Sequence, residues 1–202
     1  MIPARRLLLA TLAAAVAVSV TGPVAAQTYP SKQATIIVSF PPGGDTDALA
    51  RVFAEKLAQR MGQAVVVENR TGASGTIGNS FVSKAAPDGY TILFTPNTFS
   101  IAPLVLKPGV GAQYDVLNGF TPILLAGTSS LFAVATAQSG VKNMQELVAA
   151  AKGGKISTYA SPGSGSPMHI LGELFNKSAG VKINQVPYRG SGPAVNDMLG
   201  GH

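Results

Sequence analysis

The sequence has 202 residues, a formal net charge of +6 and 46% hydrophobic residues, and it contains no cysteine. This composition excludes a disulfide-stapled scaffold and a thiolate metal site, and the lack of any run of Lys or Arg argues against a nucleic-acid-binding surface. A chain of this length is expected to form one domain, or one domain and part of a second.

The first 26 residues have the layout of a secretory signal peptide. Arg5 and Arg6 precede an apolar stretch at residues 7–20, and a Gly22-Pro23 break comes before the cleavage region. A transmembrane anchor is the alternative, but the stretch is shorter than the roughly 20 residues that cross a bilayer. The arginine pair also fits a twin-arginine signal, although its flanking residues are unspecific. We expect cleavage after Ala26 and export to the periplasm, which would leave 176 residues and a net charge of +4.

Strands alternate with helices along the rest of the chain. The predicted strands lie at 34–40, 64–69, 90–95, 155–160 and 182–188, and the predicted helices lie at 45–61, in a short stretch ending at 86, and at 143–152, 166–178 and 191–199. This alternation predicts an α/β fold in which helices cover a parallel sheet. The apolar segment 120–137 has no helical pattern and is expected to be a strand pair or a crossover between two bodies. We place a lobe boundary near residue 126, with lobe 1 at 27–126 and lobe 2 at 127–202.

Side-chain patterns add detail to two of these helices. Within 45–61, apolar residues at every fourth position predict a core-facing stripe, flanked by Ala48 and Val52, that consists of Leu49, Phe53, Leu57 and Met61. Asn143 and Glu146 have the spacing of a capping box at the start of the helix at 143–152.

Four loops that follow predicted strands are rich in Gly, Pro, Ser, Thr and Asn, at residues 40–47, 95–100, 160–169 and 187–194. Parallel sheets bind ligands at the carboxyl ends of their strands, and three of these loops are expected to lead into helices. A helix start offers unpaired N–H groups and a partial positive charge, and Gly43 and Gly44 would let a ligand reach them. We interpret the loops as a cradle for a small anion. Ordinary turns are the alternative, in which case both glycines serve only the backbone.

The sequence offers little for catalysis. It has two histidines, one of which is the last residue, while His169 lies one turn into an apolar helix, where a structural or ligand-lining role is favoured. Ser139 and Lys142 fit an S-x-x-K pattern without its companion motifs, and there is no G-x-S-x-G, phosphate-binding loop or metal-ligand cluster. We expect neither enzymatic activity nor a cofactor.

Three stretches of the chain resemble one protein family. They are "SFPPGGDTDALARVFAEKLAQ", "ISTYASPGSGSPMHILGELF" and "VPYRGSGPAVNDMLGG", and they are similar to motifs of the Bug-type receptors, the solute-binding proteins of tripartite tricarboxylate transporters. The resemblance runs in register from about Tyr29 to Gly201. It implies a type II periplasmic binding fold, in which two α/β lobes close on a small carboxylate or amino acid and deliver it to a membrane permease. Family members are longer because their chain returns to the first lobe, so the resemblance implies that the C-terminal part is missing here.

The resemblance also implies ligand contacts in all four loops. By position, these are Phe40, Pro41, Gly43, Gly44, Thr46 and Asp47 in the first loop, Thr95, Asn97 and Thr98 in the second, Ser161, Gly163, Ser164, Ser166 and His169 in the third, and Tyr188, Gly190 and Ser191 in the fourth. Asp45 departs from the small or neutral residue that is usual in the family. It either caps the helix outside the cleft or binds a ligand ammonium group.

Together these observations favour a periplasmic receptor for a small carboxylate-bearing ligand, with a membrane permease as partner and no nucleic acid. A ligand-sensing module that docks on a membrane sensor is the main alternative. A secreted hydrolase is a more distant one.

Overall fold

The computed structural model describes residues 28–107, 109 and 112–201. The chain divides between Ser31 and Lys32, and the unit that begins at Lys32 contains all the helices and strands described below. The predicted signal peptide at 1–26 lies outside the described residues. Within the described part of the chain, no helix combines the length and the hydropathy needed to cross a bilayer.

Three parallel strands form the first sheet. They are β1 (Ala34–Val38), β2 (Val65–Asn69) and β3 (Thr91–Phe94), arranged in the order β2-β1-β3. Val38 at the end of β1 pairs with Asn69 on one side and Phe94 on the other, so the three strands end at the same level. The predicted parallel sheet is confirmed here, although the strands are one or two residues shorter than the sequence pattern predicts.

Helix α1 (Asp45–Met61) follows β1 and packs on the sheet through small side chains. Ala50 and Ala54 are buried against Ile36 and Val38 of β1. A face made of alanines lets the helix approach the sheet closely, since no long side chain stands between them.

The predicted core stripe of this helix is only partly correct. Leu57 packs against the core, and the ring of Phe53 lies 5.5 Å from that of Phe94. Leu49 and Val52, however, are more than half exposed. The close contact of the alanine face turns these two larger residues away from the sheet.

Helix α2 (Thr76–Ser83) lies close to the chain that leaves β1 and β2, and it ends earlier than predicted. Its Gly78 has no room for a side chain, because a Cβ there would lie 2.6 Å from the Arg70 carbonyl oxygen. The buried Ser39 hydroxyl donates to Oδ1 of Asn79 at 2.6 Å, and Nδ2 of Asn79 donates to the Tyr114 hydroxyl at 3.0 Å. This polar chain fixes the residue from which the loop after β1 departs.

The Tyr114 hydroxyl extends this chain to helix α3 (Thr98–Val105). It donates to the Phe99 carbonyl oxygen at 2.7 Å, and burial raises the pKa of the phenol. The sequence patterns do not predict α3, which is eight residues long and contains Pro103. Packing of Phe99 on Tyr114 supports the helix where its own propensity is weak.

The second sheet has two parallel strands, β4 (Thr158–Ser161) and β5 (Asn184–Pro187). The helices that accompany it are α4 (Met144–Lys152), α5 (Pro167–Ala179) and α6 (Ser191–Leu199). These elements confirm the predicted order of helix and strand in the second half of the chain, with shorter strands than the pattern suggests.

The capping box predicted at the start of α4 is confirmed. Oδ1 of Asn143 accepts a hydrogen bond from the Glu146 N–H at 2.9 Å. The Glu146 carboxylate accepts in return from the Lys142 N–H at 2.8 Å. The returning bond therefore reaches one residue further back than in the usual box.

The strand pair predicted at 120–137 is wrong. None of the described residues from 120 to 136 belongs to a strand, and residues 137–139 form a single 3-10 turn. Ile123, Leu125 and Phe132 are largely exposed, so apolar composition alone did not bring a pairing partner to this segment. The segment connects the part of the chain that forms the first sheet to the part that forms the second, and the alternative of a crossover between two bodies stays a prediction.

Candidate ligand-binding site

The four Gly-rich loops lie where strands of the two sheets end. All four lead into helices, α1, α3, α5 and α6, so the prediction of three is too low. β1 is central in its sheet, with β2 on one side and β3 on the other, and the loops that leave β1 and β3 therefore diverge. Such a switch point is where a parallel sheet opens a crevice for a ligand.

The two glycines of the loop after β1 have different roles. Gly43 has a φ of +81°, which a residue with a side chain adopts only at a cost. Gly44 has a φ of −81° and a ψ of 171°, which any residue can adopt. A Cβ at Gly44 would make ordinary contacts, the nearest at 3.6 Å to the Pro41 carbonyl oxygen. Backbone geometry thus explains glycine at 43 and leaves glycine at 44 without a conformational reason.

Asp47 holds this loop in place from the first turn of α1. Its buried carboxylate accepts hydrogen bonds from the Gly43 N–H at 2.9 Å, from Nε and Nη2 of Arg51 at 2.9 and 3.0 Å, and from Nδ2 of Asn69 at 2.9 Å. Burial raises the pKa of Asp47, but the bonds from Arg51, Gly43 and Asn69 outweigh burial and lower it to about 2. Asp47 is therefore an ionised residue whose acceptors are used by the protein itself.

The start of α1 has no side-chain cap. Its N-cap residue is Gly44, which has no side chain with which to accept a hydrogen bond from the first turn. Asp45 is the first helical residue, and its Oδ1 accepts a hydrogen bond from the Ser191 hydroxyl at 2.7 Å. Asp45 thus joins two loops, a role that neither of the alternatives raised from the sequence includes.

The loops of the first and second sheets contact each other at several points. A Cβ at Gly190 would lie 3.0 Å from Cδ of Pro41, and one at Gly192 would lie 3.4 Å from the Gly43 carbonyl oxygen. The starts of α1 and α6 therefore face each other at close range. Like α1, α6 begins at a glycine, Gly190, without a side-chain cap.

A further contact comes from the loop after β2. The Ser74 hydroxyl donates to the Ser164 carbonyl oxygen at 2.5 Å, and a Cβ at Gly163 would lie 3.0 Å from the same hydroxyl oxygen. Ala73 and Ser74 both have positive φ angles, of 47° and 54°. Non-glycine residues in this region are strained, and such strain is often found at functional sites.

A cleft of about 400 Å³ opens beside these contacts. Ser74 and Thr76 line it from the first half of the chain, and Gly163, Ser164 and Tyr188 line it from the second half. Two cations complete the polar lining, Lys107 and Arg189, and none of the described lining residues is an acid. The volume falls within the range that holds small organic ligands, and the charge favours an anion.

A smaller cavity of about 60 Å³ lies next to the loop after β1. Phe40 and Pro41 line it on one side, and Gly163 and Tyr188 on the other. Arg189 lines both this cavity and the larger cleft. The two spaces therefore share residues and form one candidate site.

The loop after β4 is held by its own side chains. The buried Ser161 hydroxyl oxygen accepts from Nε2 of Gln185 at 2.6 Å, and Ser166 caps α5 by accepting from the His169 N–H at 3.2 Å. Nδ1 of His169 accepts from the Gly165 N–H at 3.1 Å. Ser161, Ser166 and His169 thus shape the loop, and none of them lines either cavity.

The loop after β3 contributes a buried hydroxyl. Oγ1 of Thr95 is buried and has no hydrogen-bond partner among the described residues. Buried polar atoms almost always have a partner, so this hydroxyl has the capacity to bind a ligand or an ordered water molecule. Asn97 is exposed at the start of α3, and Thr98 is buried in its first turn.

The structure brings together only part of the predicted set. The predicted residues that line one of the two cavities are Phe40, Pro41, Gly163, Ser164 and Tyr188. Those at the contact between the loops are Gly43, Gly44, Gly190 and Ser191. The other predicted residues neither line a cavity nor lie at this contact: Thr46, Asp47, Thr95, Asn97, Thr98, Ser161, Ser166 and His169.

Sequence reasoning missed five polar residues of the described lining: Ser39, Ser74, Thr76, Lys107 and Arg189. Arg189 lies between two predicted residues, Tyr188 and Gly190, and it is the cation of an otherwise neutral loop. That position was a usable signal. Ser74 belongs to the loop after β2, which also follows a parallel strand but was not counted among the four.

Among known proteins, the family described as "Tripartite tricarboxylate transporter family receptor" matches residues 49–202. Protein BugT of Bordetella pertussis is 42% identical over 185 residues, which are 90% of this chain and 56% of BugT. A protein from the tcbD-tcbE intergenic region of a Pseudomonas species is 40% identical, and the match covers 98% of this chain and 58% of that protein. The chain thus spans a little over half the length of the curated relatives it matches.

Solved structures give the same assignment. The periplasmic binding protein BugD is 35% identical with a TM-score of 0.73, covering 86% of this chain and 57% of its own. A Rhodopseudomonas palustris protein, MatC, was solved with malate and is 27% identical with a TM-score of 0.72, over 86% of this chain and 58% of its own. A further R. palustris protein, solved with adipate, is 33% identical with a TM-score of 0.74, and the match covers 86% of this chain and 57% of that protein's chain.

The match to this receptor family covers most of the chain, and the similar structure of BugD is that of a periplasmic binding protein. The resemblance noted from the sequence motifs is confirmed, and so is the periplasmic-binding-protein fold. The chain belongs to the receptor family of tripartite tricarboxylate transporters, a family of solute-binding receptors and not of enzymes.

Proposed function

We propose that the protein is a periplasmic receptor that captures a small carboxylate-bearing ligand between two lobes, at 27–126 and 127–202, and delivers it to a tripartite tricarboxylate-type permease. One observation carries the proposal. The uncapped starts of α1 and α6 face each other beside a cleft whose described lining contains cations and no acid.

The physical basis is the free-energy gain of an anion at such a position. Each helix start contributes about 0.3–2 kcal/mol to a nearby negative charge. Each hydrogen bond to a charged group adds about 1.5–3 kcal/mol. A micromolar ligand requires a binding free energy of about −8 kcal/mol, so a few such bonds and two helix starts are sufficient.

The relatives supply the first ligands to test. One solved relative holds adipate and another holds malate, and both ligands are small dicarboxylates. We propose that one carboxylate binds at the contact between the loops, where Gly43, Gly44, Gly190 and Ser191 lie, through the unpaired backbone N–H groups of the first turns of α1 and α6. The N–H groups of Gly43 and Gly190 and the Ser191 hydroxyl donate to protein acceptors, so these three groups shape the place where the carboxylate binds.

A thermal-shift screen followed by calorimetric titration tests the binding function. Monocarboxylates, dicarboxylates and amino acids are offered to the purified protein, with neutral sugars and primary amines as controls. We expect a carboxylate to raise the melting temperature and to bind with a one-to-one stoichiometry. Stabilisation by sugars or amines alone would contradict the proposal.

Location and delivery need separate tests. We expect exported protein to begin at Gln27, which amino-terminal sequencing detects, and an intact Met1 on exported protein would contradict it. Deletion of the gene should abolish uptake of the identified carboxylate. If uptake persists while a transcriptional response to the ligand is lost, the sensor alternative replaces delivery to a permease.

A further inference from the structure

Two exposed cations line the candidate site from opposite halves of the chain. Lys107 lines the cleft just after α3, and Arg189 lines it just after β5. Neither side chain has a hydrogen-bond or ion-pair partner among the described residues, whereas Arg51 is paired with Asp47 and Arg70 with Glu68. The cleft therefore presents two positive charges that have no anionic partner among the described residues.

The backbone around Arg189 is fixed before any ligand arrives. The Tyr188 N–H donates to the Ser161 carbonyl oxygen at 2.8 Å, and the Gly190 N–H donates to the Pro162 carbonyl oxygen at 3.0 Å. The Tyr188 hydroxyl is also engaged, since it donates to Oδ2 of Asp197 at 2.5 Å, and this bond raises the pKa of Tyr188. An arginine held on both sides in this way has only its side chain left to order, so little conformational entropy opposes its binding to an anion.

Arg189 lies where the two parts of the candidate site meet. It lines the small cavity next to Phe40 and Pro41, and it lines the large cleft that extends towards Lys107. A ligand whose first carboxylate lies at the starts of α1 and α6 would direct a second acidic group into the large cleft. Guanidinium groups bind carboxylates through two parallel hydrogen bonds, and an ammonium group adds a second positive charge.

We infer that Arg189 determines ligand specificity by binding the second carboxylate of a dicarboxylate, with Lys107 as an auxiliary cation. This inference rests on the proposed function and adds a ligand class to it, namely dicarboxylates in preference to monocarboxylates of the same chain length. It also assigns this preference to a residue that does not belong to the predicted set.

The test compares matched acids on matched variants. Adipate and hexanoate, and succinate and butyrate, are titrated calorimetrically into the wild-type protein and into Arg189→Gln, Arg189→Lys and Lys107→Gln. Arg60→Gln is the control, because it removes the same charge from the last turn of α1 and Arg60 lines neither cavity. Thermal unfolding of each variant checks that the fold is retained.

We expect the wild-type protein to bind one dicarboxylate at least tenfold more tightly than its matched monocarboxylate. Arg189→Gln should lose at least tenfold in dicarboxylate affinity and little in monocarboxylate affinity, so that the preference disappears. Arg189→Lys should keep part of the preference, Lys107→Gln should lose a smaller part, and Arg60→Gln should behave as the wild type.

The outcomes separate this inference from the proposed function. Equal binding of matched acids by the wild-type protein, or an Arg189→Gln variant that loses both acids equally or neither, overturns the inference and leaves the receptor function standing. Binding of amino acids alone has the same meaning. Absence of binding to any carboxylate by a folded wild-type protein overturns both.

Discussion

The starts of helices α1 and α4 share one hydrogen bond, from a backbone N–H to an acidic side chain of the first turn, but they differ at the N-cap residue. In α1 the Asp47 carboxylate accepts from the N–H of Gly43, and in α4 the Glu146 carboxylate accepts from the N–H of Lys142. Each acid is the third helical residue, and each reaches back to the residue before the N-cap. At the N-cap itself, α4 has Asn143, whose side chain accepts from the first turn, while α1 has Gly44, which has no side chain to do so.

The difference follows from position in the fold. α4 comes after the segment that links the two sheets, and the side chains of Asn143 and Glu146 cap its start. α1 follows the central strand of the first sheet at the switch point, where its start faces that of α6. Gly44 is not needed for backbone geometry, and the absence of a side-chain cap at α1 supports the proposal that the N–H groups there bind a ligand. Four predictions test this comparison.

The largest expected effect is on stability, and it comes from the acidic residue that both helices have at their third position. Asp47→Ala should lower the free energy of unfolding by about 3 kcal/mol, because the variant loses charge-assisted hydrogen bonds from Arg51, Gly43 and Asn69 in a buried setting. Glu146→Ala is the matched variant on α4 and should cost clearly less, because Glu146 is exposed. Denaturant unfolding measures both. Equal losses would show that the buried network around Asp47 adds nothing to an ordinary cap.

Acid should remove the same contribution without a mutation. The pKa of Asp47 is about 2 in the folded protein and 3.8 for an unperturbed carboxyl, so its contribution to stability is complete above about pH 4 and is lost as the pH falls towards 2. The shift corresponds to about 2 kcal/mol. Hydrogen bonds from the Tyr90 N–H and from Asn118 also lower the pKa values of Asp88 and Asp115, so acid acts on those groups as well.

The Asp47 contribution is therefore measured as a difference. Unfolding free energies are determined between pH 3 and pH 6 for the wild type and for Asp47→Asn, which keeps the shape of the side chain and does not titrate. The wild type should lose more stability than the variant over this range. Parallel pH profiles would mean that Asp47 does not have a lowered pKa in the folded protein.

The sequence was sufficient for the alternation of strand and helix, apart from α3, and for the start of α4, because both depend on local signals. Alternation of strand and helix, the Asn143 and Glu146 spacing, and glycines after helices are all visible within a few residues. The burial of α1 was not predictable in this way, since alanine at 50 and 54 gives a weaker apolar signal than leucine at 49, yet alanine permits the closer contact with the sheet.

The candidate site was predicted less completely for a similar reason. The contacts between Ser74 and Ser164 and between Asp45 and Ser191 join residues that are 90 and 146 positions apart. No local pattern reports such a contact. Asp47 and His169 stay predictions as ligand contacts, and the structure shows that the Asp47 carboxylate and Nδ1 of His169 accept hydrogen bonds from the Gly43 and Gly165 N–H groups.

Supplying α1 with a cap should convert its start into one like that of α4. Gly44→Asn is compatible with the backbone at this position, and its amide oxygen can accept from the first turn as Asn143 does. Stability should stay the same or rise by a few tenths of a kcal/mol, because Gly and Asn differ little as N-caps. Affinity for the carboxylate that the wild type binds should fall about tenfold, or about 1.4 kcal/mol, because the new side chain occupies the N–H groups. An unchanged affinity in a folded variant would remove the start of α1 from the site.

The smallest effect is expected from removing the cap of α4. Asn143→Ala takes away the acceptor of the Glu146 N–H and leaves Glu146 and its bond to the Lys142 N–H in place. The free energy of unfolding should fall by about 1 kcal/mol, the usual cost of losing an N-cap side chain. Ligand affinity should not change beyond the loss of folded protein, because no described residue of α4 lines either cavity.

Calorimetric titration of Asn143→Ala, together with its denaturant unfolding, separates an effect on binding from an effect on stability. If Asn143→Ala instead weakens binding in fully folded protein, a cap remote from the cleft affects the ligand, and the contrast between the open start of α1 and the closed start of α4 no longer explains where the ligand binds.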